Sequence, residues 1–244
     1  MLRLIIIVIF IFGICFNAEA QTYNKREHSK NLPKFEKRRI HFGFIIGTNS
    51  NNFTVKRKNP SMGGVPDSLL SINAQSAAGF NLGIVSDLHL NSYFSLRFTP
   101  NLAFSSRTLT YTFRTFDGDK VFPKEIESTL INLPLNLKYK SVRVNNFSAY
   151  FIGGAAYTID LASNVKADNL STQISDIIIK LKRDDIVGQI GFGTEFYLEY
   201  FKFGIELKMS YGFTNILFDD GTQLSTPIDY LRSKMCLISF TFEG

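Results

Sequence analysis

The chain has 244 residues, of which 45% are hydrophobic and 20% are charged, and 24 of them are phenylalanine. This composition excludes a disordered protein, and a total of two cysteines excludes a disulfide framework and a cysteine-based zinc site. The formal net charge of +6 suggests nucleic acid until its position along the chain is known.

Residues 1–20 have the pattern of a secretory signal peptide. A short basic start at Arg3 is followed by an apolar run from Leu4 to Phe16 and by a small-x-small cleavage site at Ala18–Ala20. The apolar run is too short to cross a bilayer as a helix. We therefore expect an exported protein whose mature chain begins at Gln21.

Residues 21–39 form a predicted basic tail that carries most of the net charge. This stretch has seven basic and two acidic residues, so residues 40–244 share a net charge of only +1. A solvated, flexible segment is one interpretation, and a docking tail for an acidic partner or for lipid headgroups is the other. Because the protein is exported, we expect no nucleic-acid partner. The basic residues are Lys25, Arg26, Lys30, Lys34, Lys37, Arg38 and Arg39.

Residues 40–244 alternate large apolar residues with small or polar ones, which is the period of a β-strand. The clearest example runs from Phe201 to Phe213, where every second residue is large and apolar. Residues 170–182 instead show helical spacing, and either a short helix or a strand extension fits them. The pattern predicts eight strands, at about 40–48, 78–88, 93–113, 124–140, 148–163, 185–199, 201–215 and 231–243.

The predicted connections alternate in length, which is typical of an up-and-down antiparallel barrel. Those at 49–77, 114–123, 164–184 and 216–230 are long, and those at 89–92, 141–147 and near Tyr200 are short. The fold class expected is therefore all-β, an eight-stranded antiparallel up-and-down transmembrane barrel of the outer-membrane type.

The apolar face is expected to meet lipid. An eight-stranded barrel is only wide enough for its own side chains, and the many large apolar residues would not fit inside it. The opposite face is rich in glycine, as at Gly191, Gly193, Gly204 and Gly212, which suits a crowded lumen. The even strand number places both termini on the periplasmic side of the outer membrane, with the long loops outside.

Residues that carry chemistry are sparse. The sequence has three histidines, and none has partners at a spacing that predicts a catalytic or metal site. We expect no catalytic residues, no metal and no cofactor. Eight charged residues are predicted to face the lumen, where they form either a paired network that holds the barrel shut or an ion or proton path. They are Asp87, Arg97, Lys138, Asp160, Glu195, Lys202, Glu206 and Lys208.

The strand sequences resemble the PorT family of outer-membrane β-barrel proteins of Bacteroidetes. The likeness covers roughly residues 40–244. The segments that carry it are His41-Phe42-Gly43-Phe44 with Gly47-Thr48-Asn49, Leu133-Pro134 with Leu137-Lys138-Tyr139-Lys140-Ser141 and Arg143, Tyr150-Phe151-Ile152-Gly153-Gly154 with Asp160-Leu161-Ala162-Ser163, and Gly191-Phe192-Gly193-Thr194-Glu195 with Glu206-Leu207-Lys208.

The resemblance implies a non-enzymatic outer-membrane component or assembly factor of the type IX (Por) secretion system, needed for export of proteases or adhesins. The partners it implies are outer-membrane lipid and other subunits of that system. A stand-alone small barrel for ligand binding, adhesion or membrane integrity is the alternative.

Overall fold

The computed structural model describes residues 30–59, 66–164 and 177–244. The predicted signal peptide at 1–20 and the tail residues Lys25 and Arg26 lie outside the described residues. Among the described residues, no helix is long and apolar enough to cross a membrane. A 3-10 turn at Phe35–Lys37 is followed by β1 (Ile40–Arg57), β2 (Leu69–His89), β3 (Phe94–Phe98), β4 (Asn101–Thr115), β5 (Gly118–Lys140), β6 (Phe147–Asp160), β7 (Asp184–Tyr197), β8 (Lys202–Gly212) and β9 (Ile228–Glu243).

The strands close into a ring of eight antiparallel positions, which confirms the predicted barrel. β1 pairs with both β2 and β9, so the sheet has no free edge. β3 and β4 share one position because both lie between β2 and β5. Pro100 separates them, since proline has no N–H to donate to the ladder, although its carbonyl still accepts a hydrogen bond from the Ile84 N–H at 3.0 Å.

The two ends of the barrel differ. The terminal end, where β1 begins and β9 ends, has the short connections 90–93, 141–146 and 198–201. The opposite, hairpin end has longer strands than predicted: β1 continues to Arg57, and the expected loop at 114–123 is a two-residue turn, Phe116-Asp117, closed by pairing of Thr115 with Gly118. Gly118 has a φ of +113°, which a side chain would strain.

Along the part of the barrel nearest the terminal end, the outer surface is apolar, as predicted. Phe42 is 63% exposed and Ile190 is 69% exposed, values that suit side chains facing lipid. The alternating residues point inward and are mostly polar. Other exposed apolar residues of this belt are Phe44, Ile46, Ile84, Leu135, Phe151, Phe192, Ile238 and Phe240.

Toward the hairpin end the polarity of the two faces is reversed. On β4, Leu102 and Phe104 belong to the outward-facing set, but farther along Leu109, Tyr111 and Phe113 are buried inside the barrel. They pack with residues of β1, β9 and the 213–227 connection in one apolar cluster. The expectation that the apolar face meets lipid was therefore wrong for this end of the barrel, because the strands continue past the apolar belt and there bury an apolar core, as a water-soluble sheet does.

Part of the segment with helical spacing is described, and it is extended. Ile177, Ile179 and Leu181 are buried in the hairpin-end cluster. Leu181 forms an isolated bridge with Leu217, and the Lys182 N–H donates to the Ile216 carbonyl at 2.7 Å. Residues 177–182 thus follow the strand alternative, and the remainder of that segment up to 176 lies outside the described residues.

Candidate functional site

A cluster of buried charges crosses the lumen near the terminal end. The strand register sets its height: Asp87 pairs with Arg97 across β2 and β3, and Lys202 pairs with Glu243 across β8 and β9. All of these residues belong to the inward-facing set of their strands. The cluster consists of Asp87, Arg97, Lys138, Glu195, Lys202, Glu206, Lys208 and Glu243, each at most 4% exposed.

Arg97 occupies the centre of the cluster. Its Nη2 donates to Asp87 Oδ2 at 2.8 Å and to Glu243 Oε1 at 2.7 Å. Its Nη1 lies 3.3 Å from Glu206 Oε2, and Nη2 lies 3.6 Å from Glu195 Oε1. A planar guanidinium with five donors is the side chain best suited to join several carboxylates at once.

The lysines link the same carboxylates from other strands. Lys138 contacts Asp87 at 3.2 Å and is also hydrogen-bonded to Glu195. Lys202 lies 2.9 Å from Glu195 Oε1 and 2.7 Å from Glu243 Oε2. The carboxylates of Asp87, Glu195 and Glu243 therefore share their cations, and the contacts form one connected network.

Tyr150 joins the network from β6. Its hydroxyl donates to Glu206 Oε2 at 2.8 Å, and Lys208 lies 2.8 Å from the other oxygen of that carboxylate. The Lys138 ammonium lies 4.4 Å from the centre of the Tyr150 ring, within the range of a cation–π contact. Aromatic bulk and ion pairs together fill the lumen at this height.

The cluster is electrically balanced, since four carboxylates face four cations. Balance matters because an isolated ion in a buried site is far more costly than a paired one. Among the described residues, the carboxylate oxygens of Asp87, Glu195 and Glu243 lie within 4.8 Å of one another, a spacing at which they could hold a metal ion. Arg97, Lys138 and Lys202 already contact those oxygens, so the arrangement suits internal ion pairing better than a metal ion.

Seven of the eight predicted lumen charges belong to this cluster, and Asp160 does not. Asp160 ends β6 at the hairpin end, far along the strand from Ser148, which pairs with Glu195. It forms an ion pair with Arg107, at 3.9 Å. The expectation that Asp160 shares the network was wrong. The alternation along a strand shows that a residue faces the lumen, but it does not show how far along the barrel axis that residue lies.

Glu243, Tyr150 and Arg107 are buried lumen residues that the sequence interpretation missed. Glu243 alternates with the outward-facing Phe240 and Phe242 on β9, so the alternation along the strand was enough to predict that it faces the lumen. Arg107 lies over the Phe53 ring, 4.1 Å from its centre, and donates to Ser128. It marks the level at which the lumen changes from polar to apolar.

A plug segment, residues 31–37, covers the mouth of the barrel at the terminal end. Phe35 is 6% exposed and stacks on His41 with 3.7 Å between ring centres. It also meets Tyr197 edge-on, and the Lys202 ammonium lies 4.9 Å from its ring centre. The phenylalanine therefore lies directly on the charge cluster.

Polar contacts hold the plug segment at its two ends. The Asn31 N–H donates to Asn146 Oδ1 at 3.0 Å, and Asn31 Nδ2 donates to the Tyr197 carbonyl at 3.0 Å. Glu36 forms an ion pair with Lys140 at 3.0 Å. Partial burial raises the pKa of Glu36, but the hydrogen bond and charge of Lys140 outweigh it, so the pKa lies below its ordinary value of 4.5.

The plug segment corrects the picture of a flexible tail for residues 31–37. Lys34, Arg38 and Arg39 are exposed around it, as is Lys30 just before it, and Lys37 ends the 3-10 turn. The Arg38 carbonyl lies 3.1 Å from His41 Nε2, and the Arg39 carbonyl accepts from the His89 N–H at 2.8 Å. The charge pattern of the sequence did not predict the burial of Phe35 or these backbone contacts.

The sealed, apolar-coated ring is the architecture of a bacterial outer-membrane barrel. A family model described as an outer membrane protein beta-barrel domain matches residues 19–217, and the chain belongs to this family. The protein is accordingly an outer-membrane protein with a lipid-facing surface.

The chain is similar to several solved structures. OprG from Pseudomonas aeruginosa is 16% identical, with 84% of this chain and 94% of that chain covered and a TM-score of 0.39. Ail from Yersinia pestis, in complex with the heparin analogue sucrose octasulfate, is 12% identical, with 85% and 100% covered and a TM-score of 0.39. Neisserial surface protein A is 12% identical, with 82% and 96% covered and a TM-score of 0.38. No curated protein sequence matches the chain.

Proposed function

We propose that this protein is a closed, non-enzymatic outer-membrane component or assembly factor of the type IX secretion system, needed for export of proteases or adhesins. The sequence resemblance to the PorT family over residues 40–244 supports the assignment to that system. The structural observation that supports its mode of action is the balanced charge cluster, which fills the lumen of the barrel.

A filled lumen favours a protein that acts by binding other subunits at its surface over one that conducts cargo through its lumen. The plug segment covers the cluster at the terminal end, and the apolar cluster fills the barrel at the hairpin end. Cargo proteins are far larger than any gap between these layers. The barrel is therefore proposed to hold or assemble other subunits, and not to conduct cargo itself.

The proposal includes an orientation. Both termini face the periplasm, and the hairpin end faces the outside of the cell. Lys34, Arg38 and Arg39, the exposed basic residues of the described part of the tail, then lie beside the mouth of the barrel on the periplasmic side. A periplasmic subunit with an acidic surface is the partner that this charge would favour.

Deletion of the gene tests the proposed function. The expected result is that secreted proteases or adhesins accumulate in the periplasm, and that a plasmid copy of the gene restores their release. Normal release in the deletion strain, with the outer membrane otherwise intact, would overturn the assignment to secretion.

Two charge variants test the role of the tail. The variant with Lys25→Gln and Arg26→Gln is expected to restore release poorly. A matched variant with Arg114→Gln and Lys120→Gln, which lowers the charge of the hairpin end, is expected to restore it fully. Equal rescue by both variants would contradict a docking role for the tail.

The stand-alone barrel remains the second candidate. The observation in its favour is the hairpin end, where β4 and β5 continue well beyond the apolar belt and place a folded surface outside the membrane. This candidate predicts a deletion strain with altered adhesion or permeability and with secretion intact, so the same strain separates the two functions.

A further inference from the structure

A basic patch lies on the outer surface of the barrel directly beyond the apolar belt. Its residues are Lys56 on β1 and Arg232 and Lys234 on β9. Toward the terminal end the same outward-facing row of β9 continues through Cys236, Ile238, Phe240 and Phe242. The patch therefore begins where the lipid-facing surface ends.

Two of the three cations are available to a ligand. Lys56 is paired with Asp229 at 3.2 Å. Within the part of the chain that the structure describes, Arg232 and Lys234 form no ion pair. The Arg232 guanidinium lies 4.7 Å from the centre of the Tyr230 ring, and its buried Nε has no hydrogen-bond partner there.

An apolar groove meets the patch at Lys234. The groove has a volume of about 490 Å³ and lies between β7 and β8. Its lining includes Gly188, Ile190, Met209, Tyr211, Phe213 and Lys234. Gly188 pairs with Tyr211, and Tyr211 pairs with Lys234, so the groove and the cation are neighbours across the sheet.

Glycine at 188 contributes to the shape of the groove. A Cβ added there would lie 2.7 Å from the Phe213 ring, so any side chain would displace that ring and fill the space it borders. Met209 is 50% exposed and Phe213 is 60% exposed, and both lie beside it. The groove is apolar and faces the lipid, and its end is positively charged.

This combination fits an anionic lipid, with an acyl chain in the groove and a phosphate at the cations. Arginine and lysine beside a membrane surface bind lipid phosphate groups, and aromatic residues such as Tyr211 and Tyr230 are typical of the interface. At the hairpin end of an outer-membrane barrel, outside the cell under the orientation proposed above, the phosphate-bearing lipid of that leaflet is lipid A.

We propose that Arg232, Lys234 and the Gly188 groove form a binding site for lipid A. The site rests on the orientation given under the proposed function but not on the role in secretion. It would keep the barrel in contact with the outer leaflet at one side, next to the seam between β1 and β9.

Native mass spectrometry of the full-length protein in mild detergent tests the site, with lipid A and phosphatidylglycerol as probes. For the variant with Arg232→Gln and Lys234→Gln, affinity for lipid A is expected to fall on the order of 25-fold, from about fivefold for each cation near a membrane surface. The control with Arg114→Gln and Lys120→Gln keeps wild-type affinity. Unchanged binding in the first variant, or equal binding of phosphatidylglycerol by the wild type, would overturn the proposal.

Two further measurements keep the outcomes separate. The single exposed change Lys234→Gln, expected to lower affinity about fivefold, serves if the double variant does not fold, and unchanged affinity in it would equally overturn the site. Labelling of Phe116→Cys by a membrane-impermeant maleimide in intact cells, in a Cys236→Ser background, tests the orientation. Labelling supports it, whereas labelling only after the outer membrane is broken would overturn the orientation and the lipid A site together.

Discussion

Arg97 is the side chain on which the sealed lumen depends most. It contacts Asp87, Glu206 and Glu243 directly, and it is fully buried. The change Arg97→Gln leaves four buried carboxylates facing three cations. Removal of one partner from a buried ion pair costs roughly 3–5 kcal/mol because the other charge is left uncompensated. We expect the free energy of unfolding to fall by about that amount.

The charge-balanced variant separates lost charge balance from lost packing. The double change Arg97→Gln with Glu243→Gln leaves three carboxylates and three cations. It is expected to be more stable than Arg97→Gln alone by at least about 2 kcal/mol, since the uncompensated charge is the larger part of the cost. The exposed change Arg114→Gln is the control, and it should alter stability by less than about 0.5 kcal/mol.

Urea unfolding in lipid vesicles is the assay, with the folded fraction read from the mobility of unboiled samples in gels. The wild type, Arg97→Gln, Glu243→Gln and the double variant together form a double-mutant cycle. The reasoning is refuted if Arg97→Gln costs less than about 1 kcal/mol, or if the double variant loses as much as the two single variants together.

Three further predictions concern the plug segment and the hairpin end. Phe35→Ala removes a buried ring and should weaken closure of the plug segment by about 2 kcal/mol, seen as roughly 30-fold faster hydrogen exchange of its amides, whereas unchanged exchange would contradict its docking. Because Lys140 lowers the pKa of Glu36, this ion pair should stabilise the closed plug segment above pH 4.5 and lose that effect as the pH falls through the lowered pKa. Hydrogen exchange of the plug-segment amides, measured from pH 7 to pH 3, should show this loss of stability. The variant Glu36→Gln should lack the pH dependence. Leu109→Ala should destabilise the hairpin end by about 2–5 kcal/mol and its outward neighbour Thr110→Ala by less than about 0.5 kcal/mol, with urea-dependent hydrogen exchange as the measurement; equal effects would contradict the reversed polarity.

The strand alternation was sufficient to predict the barrel and its lipid-facing side. Parity along a strand identifies which residues share a face, and it correctly placed Arg97, Lys138 and Glu195 in the lumen. It does not give the height of a residue in the barrel, which is set by the register between strands. Asp160 was therefore grouped with residues that lie far from it.

The reversed polarity at the hairpin end left a signal in the sequence. On β4 the apolar positions change from even, at Leu102 and Phe104, to odd, at Leu109, Tyr111 and Phe113. Such a change of phase within one continuous strand indicates that the strand leaves the membrane. Treating residues 49–77 as a loop hid the same continuation on β1.

The plug segment had no comparable signal. Its net charge suggested a solvated tail, but its buried aromatic residue, Phe35, packs on the barrel. The contacts that orient it, from Asn31 to Asn146 and from Glu36 to Lys140, join residues more than a hundred positions apart. Contacts of this kind follow from the closed ring and are not encoded in local patterns.

A measurement of ion conduction by the purified barrel tests most directly whether its lumen is closed, as the proposed action through surface binding requires. The full-length protein would be inserted into a planar bilayer and held at a steady voltage, with an outer-membrane porin as the positive control. The charge cluster and the two layers around it predict a baseline current without discrete steps. Regular open-channel steps from the folded wild-type protein would contradict a sealed lumen and, with it, the proposed mode of action.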